Sequence, residues 1–524
     1  MPDGGRFASG RHAGILVPLF SIPSRRSWGI GEIPDLPRLA GWLRTAELDI
    51  VQLLPVNEMA DAQNSPYSAL SAMAIDPIYI AMADLPEFAA IGGEASLEDD
   101  DRARLAEARA APSVQYAAIR QVKGRALRAA FAHFERVDAG ADSARARDFR
   151  EFRARESWWL DDYALFRALH DDNGLRYWIE WEPAIRTREP RALAAARARL
   201  APEIHYRAWL QFVADEQWQR ARRACEPVGI FGDFPFMVSG DSADVWARQH
   251  EFRVDASVGV PPDAFSDTGQ DWGLPAYRWD VIEAGGDEWL RQRARRCTEL
   301  YDGFRVDHLV GFYRTFVREP DGTTHFIPPD EPSQLAQGER LLDVFQESGA
   351  RILVEDLGTI PTFVRESLLR LQMPGLKVLR WERDWHEEGH PFHDPASYPA
   401  ASVATTGTHD TETLAEWWDN ADLEERARAL EIPALRGSVC HPDSAFCDEL
   451  RDGLLSAVYD SGSDLALAPV QDVFGWRARI NTPAVVSDEN WSWRLPWPVE
   501  DLVTHPSARE RAAFLRALSE RHGR

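Results

Sequence analysis

Three short runs in this chain end in a carboxylate: Gly303-Phe304-Arg305-Val306-Asp307-His308, Ile352-Leu353-Val354-Glu355-Asp356 and Thr405-Thr406-Gly407-Thr408-His409-Asp410. Each is an apolar or β-branched stretch of strand length that stops at an acid. Each therefore predicts an ionisable side chain where a buried strand surfaces, and in a parallel barrel that edge is the reaction face. Two carboxylates held either side of a sugar linkage are the minimum equipment for glycosidic bond chemistry, one as nucleophile and one as proton donor. A third can steady the substrate. Arg305 lies two residues before Asp307 on the same strand face and is placed to hold that acid ionised. Plainer readings of the same residues exist: Arg305 and Asp307 as a partly buried ion pair, or Asp356 in place of Glu355 as the functional acid.

The elements that must position these acids follow from the apolar runs. Candidate buried strands are Ile15 to Leu19, Ile50 to Leu54, Val228 to Gly232, Phe304 to Val306, Arg351 to Val354, Leu376 to Leu379, Ser402 to Thr405 and Leu467 to Pro469. Most are separated by segments of helical period, such as Pro37 to Leu43, which is the βα alternation of a parallel sheet. Eight strands in that order predict an α/β fold, a single catalytic (β/α)8 TIM-type barrel over residues 1–524. Residues 73–215, rich in Ala, Arg and Glu, predict a mostly helical insertion, with the acids of Leu97-Glu98-Asp99-Asp100-Asp101 at a helix start. Those acids lack the spacing of a calcium loop. From Asp233 to Tyr277 the chain is loaded with Gly, Pro, Asp and aromatics and reads as irregular, part of a loop-rich insertion at 233–300 over the active site.

Composition narrows the partners. A formal net charge of −25 over 524 residues argues against nucleic acid and against an anionic membrane surface, since both repel an acidic protein. Neutral substrates are not repelled. Twenty Trp offer indole faces for sugar rings, although Trp is equally a core residue. The four cysteines, Cys225, Cys297, Cys440 and Cys447, form no C-x-x-C pair and no metal spacing, so reduced structural thiols in a cytoplasmic protein are expected. The run Gly14 to Phe20 is short and contains Pro18, which reads as a first strand and not as a signal peptide. No run approaches the ~18 apolar residues of a membrane helix.

Further motifs make a resemblance specific: Trp28-Gly29-Ile30-Gly31-Glu32, Ser65-Pro66-Tyr67-Ser68-Ala69-Leu70-Ser71-Ala72, Gly232-Asp233-Phe234-Pro235, Asp241 to Ala247, Pro261-Pro262-Asp263-Ala264-Phe265-Ser266, Gly269-Gln270-Asp271-Trp272-Gly273 and Asn490 to Pro496. Together with the three acid motifs, and in this order, they make the chain resemble the amylomaltases, also called disproportionating enzymes or 4-α-glucanotransferases, a branch of the α-amylase superfamily. The resemblance implies a transferase that breaks an α-1,4-glucan and passes the glucosyl chain to another sugar, with maltooligosaccharides and α-1,4-glucans as partners. It implies Asp307 as nucleophile, Glu355 as general acid and base, and Asp410 as the acid that binds and distorts the sugar. Ser65, Tyr67, Asp263, Gln270, Trp272, Arg305, His308 and His409 are the substrate-binding residues it implies. A loop Tyr packed on the barrel rim is an alternative reading of Tyr67. Leu274, Thr411 and Val310 depart from residues common in the family (Asn, Asn and Arg).

No metal or organic cofactor is required for double displacement on a glycosidic bond, and the sequence shows no ligand set for one. Trp28-Gly29-Ile30-Gly31-Glu32 lacks the third glycine of a phosphate loop and carries a repelling Glu32. His386, His390 and His393 have loose spacing in a Gly- and Pro-containing loop, a solvated loop and not a zinc site. Two rivals to the transferase remain: an α-glucan hydrolase of the same superfamily, in which water takes the intermediate, and a glycan-binding barrel without turnover.

Overall fold

The computed structural model describes residue 7 and residues 9–60, 63–141, 143–262, 269–437, 439–483, 485 and 487–524. Twelve strands occur in chain order among them: β1 (His12–Leu16), β2 (Ile50–Gln52), β3 (Gly229–Phe234), β4 (Phe252–Val260), β5 (Gln270–Tyr277), β6 (Gly303–Val306), β7 (Thr315–Arg318), β8 (Thr324–Ile327), β9 (Arg351–Val354), β10 (Gly375–Val378), β11 (Ser402–Thr405) and β12 (Leu465–Pro469). Eight of these close a parallel barrel in the order β1-β12-β11-β10-β9-β6-β3-β2. The expected (β/α)8 barrel is therefore present, built from the eight apolar runs.

Strand boundaries differ from the sequence reading where the backbone decides them. The first strand lies three residues earlier than Ile15 to Leu19. Pro18 has no N–H to give a ladder, and the chain passes directly into a 3-10 turn at Leu19–Ser21. β3 extends through Asp233 to Phe234, which brings an acid inside a barrel strand.

Alternation along the strands sorts the core into two layers. Phe234 and Phe304 face outward, packing with Phe345 of the helix Glu331–Glu347. Their neighbours therefore face the barrel axis. There Ile50, Phe231, Leu353, Leu376, Val403, Leu465 and Leu467 form a separate apolar cluster with Phe7. Two residues further along the same strands come Asp233 after Phe231 and Glu355 after Leu353. The polar residues thus stand one layer above an apolar plug. Gly303 makes that plug possible, because a Cβ there would sit 2.7 Å from both the Arg351 carbonyl and the Phe231 ring.

Between β2 and β3 the chain is helical, with Asp99–Ala110, Tyr116–Val137, Ala144–Asp172, Pro190–Arg199 and Ala201–Cys225 as the longer elements. The acids Asp99, Asp100 and Asp101 fill the first turn of their helix, where the dipole favours them. Ser143 caps Ala144–Asp172 by accepting from the Ala146 N–H at 3.1 Å.

The stretch from Asp233 to Tyr277, expected to be irregular, contains β4 and β5. They pair antiparallel with register shifts and join β7 and β8 in a sheet of order β5-β4-β7-β8. The partner strand β7 follows β6, far along the chain, so local sequence does not reveal the pairing. Gly259 permits the close approach of β4 to β5, since a Cβ would lie 1.9 Å from the Gln270 carbonyl oxygen.

Most of the large indoles are core. Trp28, Trp42, Trp209, Trp218, Trp246, Trp289 and Trp418 are fully buried. Among the described residues no helix is long and apolar enough to cross a membrane.

Candidate active site

The barrel strands deliver their polar residues to one place. Asp233 on β3 stands beside Arg305 on β6 in the sheet register, and Asp307 follows Arg305 by two residues on the same inward face. Arg305 is the hub. Its Nη1 donates to Asp233 Oδ2 at 3.0 Å, while its Nη2 donates both to Asp307 Oδ1 and to Glu355 Oε2, the latter at 3.2 Å. Glu355 Oε2 also accepts from the His308 N–H at 2.8 Å. Main-chain bonds lock this corner: Asp307 N–H donates to Phe234 O, Leu309 N–H to Glu355 O, and Glu355 N–H to Val306 O. His308 adopts φ 43°, a left-handed conformation that costs a non-glycine residue about 1 kcal/mol and is held by those bonds.

A second chain of contacts runs from Asp233 to the third acid. Tyr67 O–H donates to Asp233 Oδ2 at 2.8 Å, and His409 Nε2 lies 3.0 Å from the Tyr67 oxygen and 3.2 Å from Asp410 Oδ2. Tyr67 and His409 stack at 5.3 Å, with Trp491 packed against both. Asp410 accepts from Asn481 Nδ2 at 2.6 Å, and its carbonyl accepts from Arg479. It lies five residues beyond β11, on a turn clasped by Thr411, whose Oγ1 accepts from the Thr408 N–H and donates to the Thr408 carbonyl. The Thr411 departure thus serves as a loop clasp.

Electrostatics separate Glu355 from Asp410. Burial pushes the Glu355 carboxyl up to about 7, with Arg305 opposing the rise and the Asp307 charge adding to it. Desolvation, rather than the charge of the neighbouring aspartate, is the largest cause of that rise. At Asp410 burial acts upward, yet the charge and hydrogen bond of His409, with Asn481, hold the carboxyl down at about 2. Burial lowers His308 to about 4 against the pull of Asp307, which leaves it neutral at pH 7. At His409 burial acts downward but Asp410 outweighs it, so the imidazole is raised. Burial lifts Asp233 to about 6, opposed by Arg305. The side chains of Asp307 and Glu355 each keep 24% of their surface open, so both reach the cleft from a desolvated floor.

Of the remaining sequence candidates, Trp272, Gln270 and Ser65 are described. Trp272 and Gln270 share one face of β5, and the Trp272 ring meets His308 edge to face at 4.8 Å while its Nε1 approaches Gln270 Oε1 at 3.3 Å. Ser65 Oγ lies 3.4 Å from the Tyr67 N–H and so shapes the loop that presents Tyr67. Asp263 lies outside the described residues. Asp356, the alternative acid, turns to the neighbouring strand and accepts from the Leu376 N–H at 2.8 Å. Leu274 is partly buried against the core, and Val310 begins the short helix Val310–Tyr313. Among the described residues no group of three or more His, Cys, Asp or Glu could hold a metal ion.

Asp233, Asn481, Arg479 and Trp491 contact this site without having been singled out for it. Asp233 was legible as an acid two residues after an apolar inward position in a strand. Asn481 carried no such signal, because only the folded loop brings it to Asp410.

A family profile described as 4-alpha-glucanotransferase matches residues 17–500. The chain belongs to the 4-alpha-glucanotransferase family. It is 34% identical over 531 residues to the 4-alpha-glucanotransferase of Thermus thermophilus, covering 97% of this chain and 98% of the relative. It is 30% identical over 512 residues to that of Chlamydia caviae, covering 94% and 92%. Among solved structures, the amylomaltase from Streptococcus agalactiae in complex with acarbose superposes with a TM-score of 0.82 at 27% identity, covering 98% of this chain and 99% of that one. The amylomaltase from Corynebacterium glutamicum gives 0.80 at 25% identity, covering 97% and 75%. The resemblance to the amylomaltases is borne out over nearly the whole chain, and the protein is an enzyme, a glucanotransferase.

Proposed function

We propose that this enzyme transfers α-1,4-glucan segments between maltooligosaccharides by a retaining double displacement. Asp307 is the nucleophile, Glu355 the general acid and base, and Asp410 binds the reacting sugar. One observation carries the reading: Asp307 and Glu355 bind the same nitrogen, Nη2 of Arg305. Two carboxylates on one nitrogen stand close together, as a retaining pair at about 5–5.5 Å requires, and leave no room for the water of an inverting pair at ~6.5–9.5 Å. In the first step Glu355 protonates the departing sugar oxygen while Asp307 attacks the anomeric carbon. In the second, Glu355 takes the proton of an acceptor hydroxyl that displaces Asp307. The proton-donor role fits a carboxyl lifted to about 7, and the binding role fits one held at about 2.

Incubation with maltotriose tests the activity. A ladder of longer oligosaccharides together with glucose is the expected product. Shortening alone means a hydrolase, and an unchanged substrate means a binding protein.

The acid role sets a pH dependence. Because Glu355 is raised, its carboxyl stays protonated up to about pH 7, and the fraction able to donate falls as pH rises through that value. With maltotriose, kcat/KM therefore declines above about pH 7. With a glucosyl fluoride donor, whose leaving group needs no proton, the first step keeps its rate there. An alkaline decline of the same size with both donors would remove Glu355 from the acid role.

The edge-to-face contact of Trp272 with His308 supports a role for Trp272 as a wall that excludes water from the intermediate. Trp272→Ala removes a stacking face worth about 1 kcal/mol and opens the site, so reducing ends released per glucosyl unit transferred should rise about fivefold. If that ratio is constant while both rates fall, the water-exclusion role is lost.

A further inference from the structure

The four cysteines were expected to be reduced structural thiols, and Cys225 and Cys297 fit that expectation. Burial pushes the Cys225 and Cys297 thiols up to about 12. Cys440 and Cys447 differ, because they converge: Sγ lies 3.4 Å from Sγ, with Cys440 buried and Cys447 partly open to solvent. Seven residues apart in sequence, they bracket the loop that leads from the 3-10 turn Pro433–Leu435 into the helix Asp448–Asp460, with Cys447 at its N-cap. That loop is already folded back on itself, since the His441 N–H donates to Ser444 Oγ and the Ser444 N–H to the His441 carbonyl. It also supports the wall behind Asp410. The Ser444 carbonyl accepts from Trp418 Nε1 at 2.8 Å, and Trp418 belongs to the helix Leu414–Asn420, which starts four residues after Asp410.

We propose that Cys440 and Cys447 form a redox-active dithiol, a modification site that closes to an intramolecular disulfide by exchange with a low-molecular-weight disulfide. The accessible Cys447 thiolate attacks one sulfur of that disulfide, forming a mixed disulfide and expelling one thiolate. Cys440 then loses its proton and attacks the Cys447 sulfur, expelling the second thiolate. The protein dithiol is oxidised by two electrons, the small disulfide is reduced to two thiols, and the two protons end on those thiols. Closing the bond moves the sulfurs together by only about 1.4 Å, to the ~2.05 Å of a disulfide, which a side-chain rotation in a preformed loop can supply. The inference stands apart from the catalytic assignment, since its readout is thiol content and peptide mass and not turnover.

The test uses the folded full-length protein incubated with excess glutathione disulfide at pH 8, quenched with acid and then denatured for thiol titration and mass analysis. Trypsin cuts after Arg436 and Arg451, with no Lys or Arg between, so both cysteines fall in one peptide. Expected are two free thiols in place of four and a peptide Gly437 to Arg451 lighter by two hydrogens. Cys440→Ser should accumulate a glutathione adduct at Cys447, whereas Cys447→Ser should stay largely unmodified. Four thiols remaining in the native protein, closure only in denaturant, or a persistent adduct on wild-type Cys447 would each overturn the proposal.

Discussion

Replacing Asp307 by Asn lowers turnover on maltotriose by about 10³-fold or more, roughly 4 kcal/mol of barrier, with the melting transition preserved. The amide keeps the volume of the carboxylate but cannot form the glycosyl ester on which both half-reactions depend. Folding tolerates the exchange because Arg305, whose charge the acid balances, retains Asp233 and Glu355 as partners. The measurement is initial rate on maltotriose for variant and wild type, alongside thermal unfolding of each. Activity within tenfold of wild type would take the nucleophile role from Asp307. Loss of activity with loss of the unfolding transition would make it a structural ion pair, the plainer reading of the same two residues.

Glu355→Gln separates the two halves of the mechanism. On maltooligosaccharides the variant should lose about 10²–10⁴-fold, the usual worth of a positioned proton donor. On glucosyl fluoride the first half-reaction should remain within about tenfold of wild type, because fluoride leaves without a proton. The intermediate should then persist, since no base activates the acceptor, and a mass increase of one glucosyl unit on the protein would report it. The Gln oxygen can still accept from the His308 N–H, so the corner is expected to stay folded. Equal damage to both donors would contradict the assignment and point instead to disruption around Arg305.

Much of this site was legible because a buried strand can carry an acid only at special positions. Asp307 and Glu355 follow directly on β6 and β9, where apolar runs stop. Arg305 was legible through period-2 alternation, which puts it on the face of Asp307. Asp410 was read in the same way, but it lies on a turn beyond β11, and the Gly407-to-Thr411 contacts set its position more than the strand does. The eight barrel strands were recoverable for a related reason: strands buried on both faces are continuous apolar runs, which stand out against the charged helices.

What the chain alone determined, then, is the set of local choices. These are strands where apolar residues cluster, helices such as the one whose start the acids Asp99 to Asp101 mark, and acids at strand ends. Tertiary structure decided everything that depends on residues distant in sequence. β4 and β5 pair with each other, and β7, itself paired with β8 and distant in sequence, supplies the second hydrogen-bonded edge of β4. Asp233 joins the site because barrel register sets it beside Arg305. Asn481 reaches Asp410, and Trp491 reaches Tyr67, through a loop whose path no local pattern encodes. The rise of Glu355 to about 7 likewise belongs to the fold, because desolvation is a property of the packed surroundings and not of the residue's neighbours in sequence.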